Sequence, residues 1–234
     1  MKERDWKSII GKFVLISFVA PLAFIIYKII VSPATNEANI EGIRVKADYV
    51  LMLTQCILGI IAFFLPNIIN KKTKIVIPSN MYIAYILFLY GAVFLGEVRD
   101  YYYRVPHWDM ILHTCSGAML GALGFSVVNI LNKNEKVHVK LSPGFVAFFA
   151  FAFAITLGVV WEIYEFLADG ALGLNMQKFA LRDGTGLIGR DAVVDTMQDL
   201  IVDSIGAFVI SFIGYISLKY KKGWIEKLLI RIKK

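Results

Sequence analysis

Residues 96–117, GEVRDYYYRVPHWDMILHTCSG, join two strongly apolar segments, yet this stretch is rich in ionisable side chains. Two of the three histidines of the chain lie here, and the ionisable candidates are Glu97, Asp100, His107, Asp109 and His113. Ionisable groups inside membrane segments cost free energy and usually serve a function. The stretch therefore predicts a connection between two spans that also carries the first part of a functional site.

The composition of the 234-residue chain is that of a membrane protein, because 58% of it is hydrophobic, whereas soluble domains are nearer half apolar. Six segments approach or exceed the roughly 20 residues that cross a bilayer. They are residues 9–31, 49–67, 81–101, 108–131, 143–168 and 193–218. We therefore predict an all-α fold, a polytopic bundle of six transmembrane helices in a single domain over residues 1–218. Pro21 predicts a bend in the first helix.

The distribution of lysine and arginine predicts that both termini lie in the cytoplasm. With that orientation the cytoplasmic segments hold seventeen basic residues and the outer loops hold eight, as the positive-inside rule requires. The net charge of +7 then indicates contact with anionic membrane lipid, and we expect no nucleic-acid partner.

Residues 219–234, KYKKGWIEKLLIRIKK, form a basic tail after the last span. Their apolar side chains recur with a helical period, which predicts an amphipathic helix lying in the membrane interface. The residues on that apolar face are Trp224, Ile225, Leu228, Leu229 and Ile232. The alternative is a solvated basic tail that only enforces the topology.

Two later stretches, WEIYEFLAD (161–169) and DAVVDTMQDLIVD (191–203), are also acidic, and the predicted topology places them on the same outer side as residues 96–117. The spacing of their acids places each set on one face of its helix. The three sets are Glu162, Glu165 and Asp169; Asp195, Asp199 and Asp203; and Asp109 with His113. Between Glu97 and Asp203 the outer side holds eleven acids and five bases. The deeper acids therefore need protons, hydrogen bonds or a bound cation.

Two imidazoles beside several carboxylates suit a divalent metal such as Zn, Mn or Fe. Our leading hypothesis is a metal-dependent enzyme of the hydrolase type that acts on a lipid or envelope intermediate near the outer face. Glu162 and Asp199 are the catalytic candidates, one of them as general base. The candidate metal ligands are Asp109, His113, Glu165, Asp203, Glu97, Asp100, His107 and Asp195.

Other interpretations of the same residues stay open. The alternative is a proton- or cation-coupled transporter that uses the same carboxylates, and a third interpretation is a polar network in a scaffold without turnover. The outer loop 170–192 is either a mobile lid or a plain connector. Small residues after His113 predict close helix contacts, and the aromatic residues before it predict anchors at the interface. The small residues are Ser116, Gly117, Gly121 and Gly124, and the aromatic residues are Tyr101, Tyr102 and Tyr103.

In the stretches HWDMILHTCSG, WEIYEFLAD and DAVVDTMQDLIVDSIGA the chain resembles the YjdF-like family of bacterial polytopic inner-membrane proteins. The similarity covers about residues 81–218. The resemblance implies a multi-pass protein of the bacterial plasma membrane. The family has no established reaction, so the resemblance implies no mechanism, and the sequence does not indicate an oligomeric state.

Overall fold

The computed structural model describes residues 6–34, 44–132, 141–181 and 184–232. Six helical segments of this part of the chain are long and apolar enough to cross a membrane. They are Trp6–Val31, Lys46–Lys72, Ser79–Val98, Trp108–Asn132, Pro143–Leu172 and Asp191–Lys219. The predicted all-α bundle with six spans is thereby confirmed.

The first span is broken in the way that its proline predicts. Helix α1 (Trp6–Val19) ends before Pro21 and α2 (Leu22–Val31) begins after it, because proline has no N–H to donate to the preceding turn. The second span is a single helix, α3 (Lys46–Lys72), whose first turn is fixed by a hydrogen bond that the Val45 N–H donates to Asp48 Oδ2 at 2.8 Å.

The third span changes its helical form on the way to the candidate site. Helix α4 (Ser79–Leu89) continues as a π-helix, Tyr90–Val98, and the chain then reverses at Asp100, whose φ is 69°. A short helix, α5 (Tyr101–Arg104), follows. A Cβ on Gly96 would lie 2.5 Å from the ring of Tyr102. The absence of a side chain at Gly96 therefore lets this ring lie against the π-helix.

The last three spans form the three-helix core, which consists of α6 (Trp108–Asn132), α7 (Pro143–Leu172) and α8 (Val194–Lys219). A 3-10 turn, Asp191–Val193, leads into α8. A Cβ on Gly117 would lie 2.2 Å from Asp203 O, and one on Gly206 would lie 2.1 Å from Thr114 O. The backbones of α6 and α8 therefore touch where they cross, as small residues permit between membrane helices.

Two hydrophobic clusters divide the interior of the bundle. The first includes Phe18, Ile25 and Ile86 and packs the first three spans together. The second includes Phe125 and Ala150 and packs α6 against α7 near the Lys219 end of α8. The acidic residues of the three-helix core lie at the opposite end, where α6 and α8 begin and α7 ends.

The tail does not form the predicted amphipathic interfacial helix, so that part of the prediction was wrong. It makes a 3-10 turn at Ile225–Lys227 and a strand, β2 (Arg231–Ile232), which pairs antiparallel with β1 (Ile75–Val76). Ile225 is buried in the second hydrophobic cluster, and the Ile230 N–H donates to Ser126 Oγ at 3.1 Å. Ile225, Leu229 and Ile230 thus pack on the protein, which a helical period alone does not reveal.

Candidate metal centre

His113 lies inside α6 and is buried. Its Nδ1 lies 3.1 Å from Asp203 Oδ2 on α8. The second oxygen of that carboxylate, Oδ1, accepts a hydrogen bond of 2.6 Å from Ser116 Oγ. An ionised carboxylate only accepts hydrogen bonds, so Nδ1 carries the imidazole proton and donates it to Asp203. In the neutral imidazole, the Nε2 atom of His113 would then offer a lone pair to a metal ion.

Two further carboxylates face Nε2. His113 Nε2 lies 3.7 Å from Asp109 Oδ1 and 3.9 Å from Asp199 Oδ2, and both distances are too long for a hydrogen bond. One ligand atom from each of the three residues lies within 4.8 Å of the other two. Ligand atoms bound about 2.1 Å from a tetrahedral ion are roughly 3.4 Å apart. The three atoms therefore surround a position that fits a metal ion after a small inward movement.

Helix α7 adds two buried glutamates beside this group. Glu162 Oε2 accepts a hydrogen bond of 3.4 Å from Gln177 Nε2, while Glu162 Oε1 has no hydrogen-bond partner among the described residues. Glu162 interacts electrostatically with His113 and Asp109. Glu165 accepts a hydrogen bond of 2.9 Å from Trp161 Nε1. Glu162 thus presents an unused acceptor oxygen near the candidate metal position.

The loop after α7 supplies a cation to the centre. Lys178 Nζ donates hydrogen bonds to Asp109 Oδ2 and, at 2.9 Å, to Asp195 Oδ1. Burial acts to lower the pKa of Lys178, but the carboxylates of Asp109 and Asp195 outweigh burial and raise the pKa above its ordinary value. Lys178 therefore stays an ammonium group at neutral pH.

Asp169, at the end of α7, holds this loop in place. Its buried carboxylate accepts hydrogen bonds from the backbone N–H groups of Met176 (2.7 Å) and Gln177 (3.0 Å). Asn175 braces the next turn through two hydrogen bonds with the backbone of Ala180. The described part of the loop is therefore organised so that Gln177 and Lys178 reach the centre.

Tyr102 completes the centre from α5. Burial raises the pKa of Tyr102, and the carboxylates of Asp109, Glu97, Glu165 and Asp199 raise it further. Its ring centroid lies 5.9 Å from Lys178 Nζ. The phenol therefore stays protonated beside the acidic cluster, although the sequence predicted only an interfacial anchor.

Six of the eight predicted ligands lie outside the group formed by Asp109, His113 and Asp199, and three of the six belong to the segment before α6. Asp100 pairs instead with Arg44 at 2.8 Å and with Arg104 at 3.2 Å. His107 is exposed in the connection before α6, with its Nδ1 3.3 Å from Met110 Sδ. Glu97, on the π-helix, interacts electrostatically with Tyr102. The chain reverses at Asp100 and again at His107, where φ is 60°, so closeness in sequence did not place these side chains together.

Asp195, Asp203 and Glu165 do lie around the centre, but each has a protein partner. Asp195 accepts from Lys178, Asp203 accepts from His113, and Glu165 accepts from Trp161. Sequence reasoning missed Gln177 and Lys178 as contributors to the site. Periodic spacing identifies the residues that share a helix face, but a loop has no such period. No sequence signal therefore indicated Gln177 and Lys178.

Six apolar spans around a buried cluster of histidine and carboxylates define a polytopic membrane protein. The chain belongs to the family of predicted membrane proteins DUF2238, whose family model matches residues 14–220. This confirms the expected membership of a membrane family without an established reaction.

The chain is also 30% identical over 148 residues to an uncharacterized protein of Thermotoga maritima. That match covers 63% of this chain and 64% of the relative, so the chain spans somewhat less than two thirds of the relative's length. No solved structure matches the chain.

Proposed function

We propose that this protein is a metal-dependent membrane enzyme of the hydrolase type that acts on a lipid or envelope intermediate. The observation that carries the proposal is the orientation of His113. Its Nδ1 is held by Asp203 at 3.1 Å, and its Nε2 faces Asp109 and Asp199. Histidines that bind metals usually donate their second ring N–H to a carboxylate in this way.

We assign a separate role to each residue of the centre. Asp109, His113 and Asp199 would hold the ion, and one nitrogen with two carboxylate oxygens suits Zn, Mn or Fe. Asp203 would orient His113 instead of binding the metal directly. A bound divalent ion makes water a nucleophile at neutral pH. Glu162, with one buried oxygen unpartnered, would accept the proton of that water as general base.

The depth of the centre supports a lipid-like substrate. Asp109 is the second residue of α6, and Asp203 lies nine residues after the start of α8. With a rise of about 1.5 Å per residue, the side chains extend from the span ends to roughly 13 Å below them. This range reaches from the headgroup region deep into the acyl region of one leaflet, because half of the hydrocarbon core is about 15 Å thick. The reactive part of a membrane lipid would reach its outer end.

The packing below Asp203 favours an enzyme over the transporter. A Cβ on Gly121 would lie 2.4 Å from Ile210, and one on Gly124 would lie 2.7 Å from the Ala150 backbone. The described helices are thus in close contact between the acidic cluster and the Lys219 end. A hydrolase needs access from one side only, whereas a coupled transporter would have to separate these contacts in a second conformation.

We further propose that the centre opens to the outside of a bacterial plasma membrane, with both termini in the cytoplasm. The excess of basic residues in the segments assigned to the cytoplasm supports this orientation. Reporter fusions at residues 72 and 136 and at the C-terminus should then report a cytoplasmic location. Fusions at residues 104 and 183 should report the outside, and a reversed pattern would contradict an envelope substrate.

Turnover can be tested in vesicles of bacterial polar lipid that contain the purified protein. With Zn, Mn or Fe(II) added, mass spectrometry should detect hydrolysis products of a vesicle lipid. Glu162→Gln should retain the metal held by Asp109, His113 and Asp199 but lose about 100-fold or more in rate, as expected for removal of a general base. Glu226→Gln, at an exposed acid near the other end of α8, is the matched control and should leave the rate unchanged. Equal rates for wild type and Glu162→Gln would contradict the assignment, and cation flux without lipid conversion would favour the transporter.

A further inference from the structure

Lys178 occupies a defined cation position next to the proposed metal. Its Nζ donates to Asp109 Oδ2 and to Asp195 Oδ1. The other oxygen of Asp109, Oδ1, faces His113 Nε2 at 3.7 Å. The carboxylate of Asp109 therefore connects two neighbouring positions, one facing His113 and one holding the ammonium group.

The charges around these two positions do not balance with one metal ion. Six carboxylates of the described residues lie in or around the centre. They are Asp109, Glu162, Glu165, Asp195, Asp199 and Asp203. If all six are ionised, Lys178 and one divalent ion offset only three of the six negative charges. Buried carboxylates in such excess need protons or further cations.

Two unpartnered oxygens point to a further ligand independently of the charge count. Glu162 Oε1 and Asp195 Oδ2 are buried and have no hydrogen-bond partner among the described residues. The Glu162 residue is only 5% exposed, and it interacts electrostatically with Asp195 and Asp109. Buried polar atoms are almost always partnered in folded proteins, so these two oxygens have acceptor capacity left for a bound group.

We propose that the centre contains a second cation position, formed by Glu162, Asp195 and Asp109, which takes either the Lys178 ammonium or a second divalent ion. The proposal rests on the first metal site proposed above. The second position offers only carboxylate oxygens, which favours Mn or Mg over Zn. A carboxylate shared between two ions about 3.5–4 Å apart is a typical arrangement of hydrolytic centres. Lys178 belongs to the loop, so its ammonium can leave without disturbing the three-helix core.

The test compares Mn²⁺ binding by metal-depleted wild type and by metal-depleted Lys178→Met. Titration calorimetry and electron paramagnetic resonance measure the binding. Wild type should bind one Mn²⁺ tightly and a second at least about tenfold more weakly. Lys178→Met removes the competing charge but keeps an apolar side chain of similar length. The substitution should increase the affinity for the second Mn²⁺ at least tenfold. The resonance spectrum should then be that of two magnetically coupled Mn²⁺ ions.

Lys221→Met is the matched control, because Lys221 is exposed and, like Lys178, has a positive φ (53° and 47°). It should bind Mn²⁺ as wild type does. In the wild-type background, Asp195→Asn should lose the second Mn²⁺ and keep the first, while Asp191→Asn, at an exposed acid one turn earlier, should keep both. Asp195→Asn keeps the test valid should Lys178→Met not fold.

The outcomes separate this inference from the proposed function. A single Mn²⁺ in both wild type and Lys178→Met, or a second Mn²⁺ that survives Asp195→Asn, overturns the second position and leaves the first site standing. Failure of the wild type to bind any Mn²⁺, Zn²⁺ or Fe²⁺ overturns the first site as well.

Discussion

His113→Ala should remove the metal from the purified protein and lower its thermal stability. The substitution deletes the nitrogen that faces Asp109 and Asp199, and it leaves Asp203 without the imidazole at 3.1 Å. A ligand that binds only the folded state stabilises it by about 2.7 kcal/mol at a hundredfold excess over Kd. Elemental analysis and thermal unfolding in detergent should both show the loss, and chelation should not destabilise the variant further.

The matched control is His107→Ala, which removes the other histidine of the same stretch. His107 is exposed and contacts Met110 Sδ, so its replacement should leave metal content and unfolding temperature unchanged. Equal metal content in His113→Ala and wild type would contradict the proposed ligand. The same loss in both variants would show that the effect is not specific to the buried histidine.

Gly206→Ala should strongly destabilise the three-helix core. The added Cβ would lie 2.1 Å from Thr114 O and 3.1 Å from Ala118 N, both of them backbone atoms of α6. The two helices must separate to admit it, and overpacking of this kind costs about 1–3 kcal/mol, occasionally more. Since Asp203 lies three residues earlier on α8, the separation should also weaken metal binding. Thermal unfolding and metal content of the purified variant measure the two effects.

Gly170→Ala is the control for helix propensity. Gly170 lies in α7, and no atom lies within 4 Å of a Cβ built there. The substitution should be neutral or stabilise the helix by up to about 1 kcal/mol. Equal destabilisation by Gly170→Ala and Gly206→Ala would contradict a specific backbone contact between α6 and α8.

The sequence predicted the spans and the helical part of the site because both depend on local regularities. Apolar length identifies a membrane helix, and a spacing of three or four residues places side chains on one face. Asp109 with His113, and Asp199 with Asp203, were identified in this way, and the structure brings the two pairs together.

The parts that the sequence did not predict depend on tertiary contacts. Lys178 and Gln177 reach the centre because Asp169 binds the loop backbone, and no periodic pattern encodes this contact. Tyr102 enters because Gly96 leaves room for its ring. In the tail, Ile225 and Leu229 have a helical spacing, but the second hydrophobic cluster buries them, so an amphipathic period was misread as a membrane-binding face.

The metal content of purified wild-type protein tests the central claim most directly. We predict that each chain contains at least about one Zn, Mn or Fe ion. A chelator should remove the ion and lower the unfolding temperature of the protein. Asp203→Asn should reduce the metal content, because a neutral amide no longer holds His113 as a carboxylate does. A protein that contains no metal, is unaffected by chelators and becomes more stable with Asp203→Asn would contradict the account, since the amide would then mimic a protonated acid.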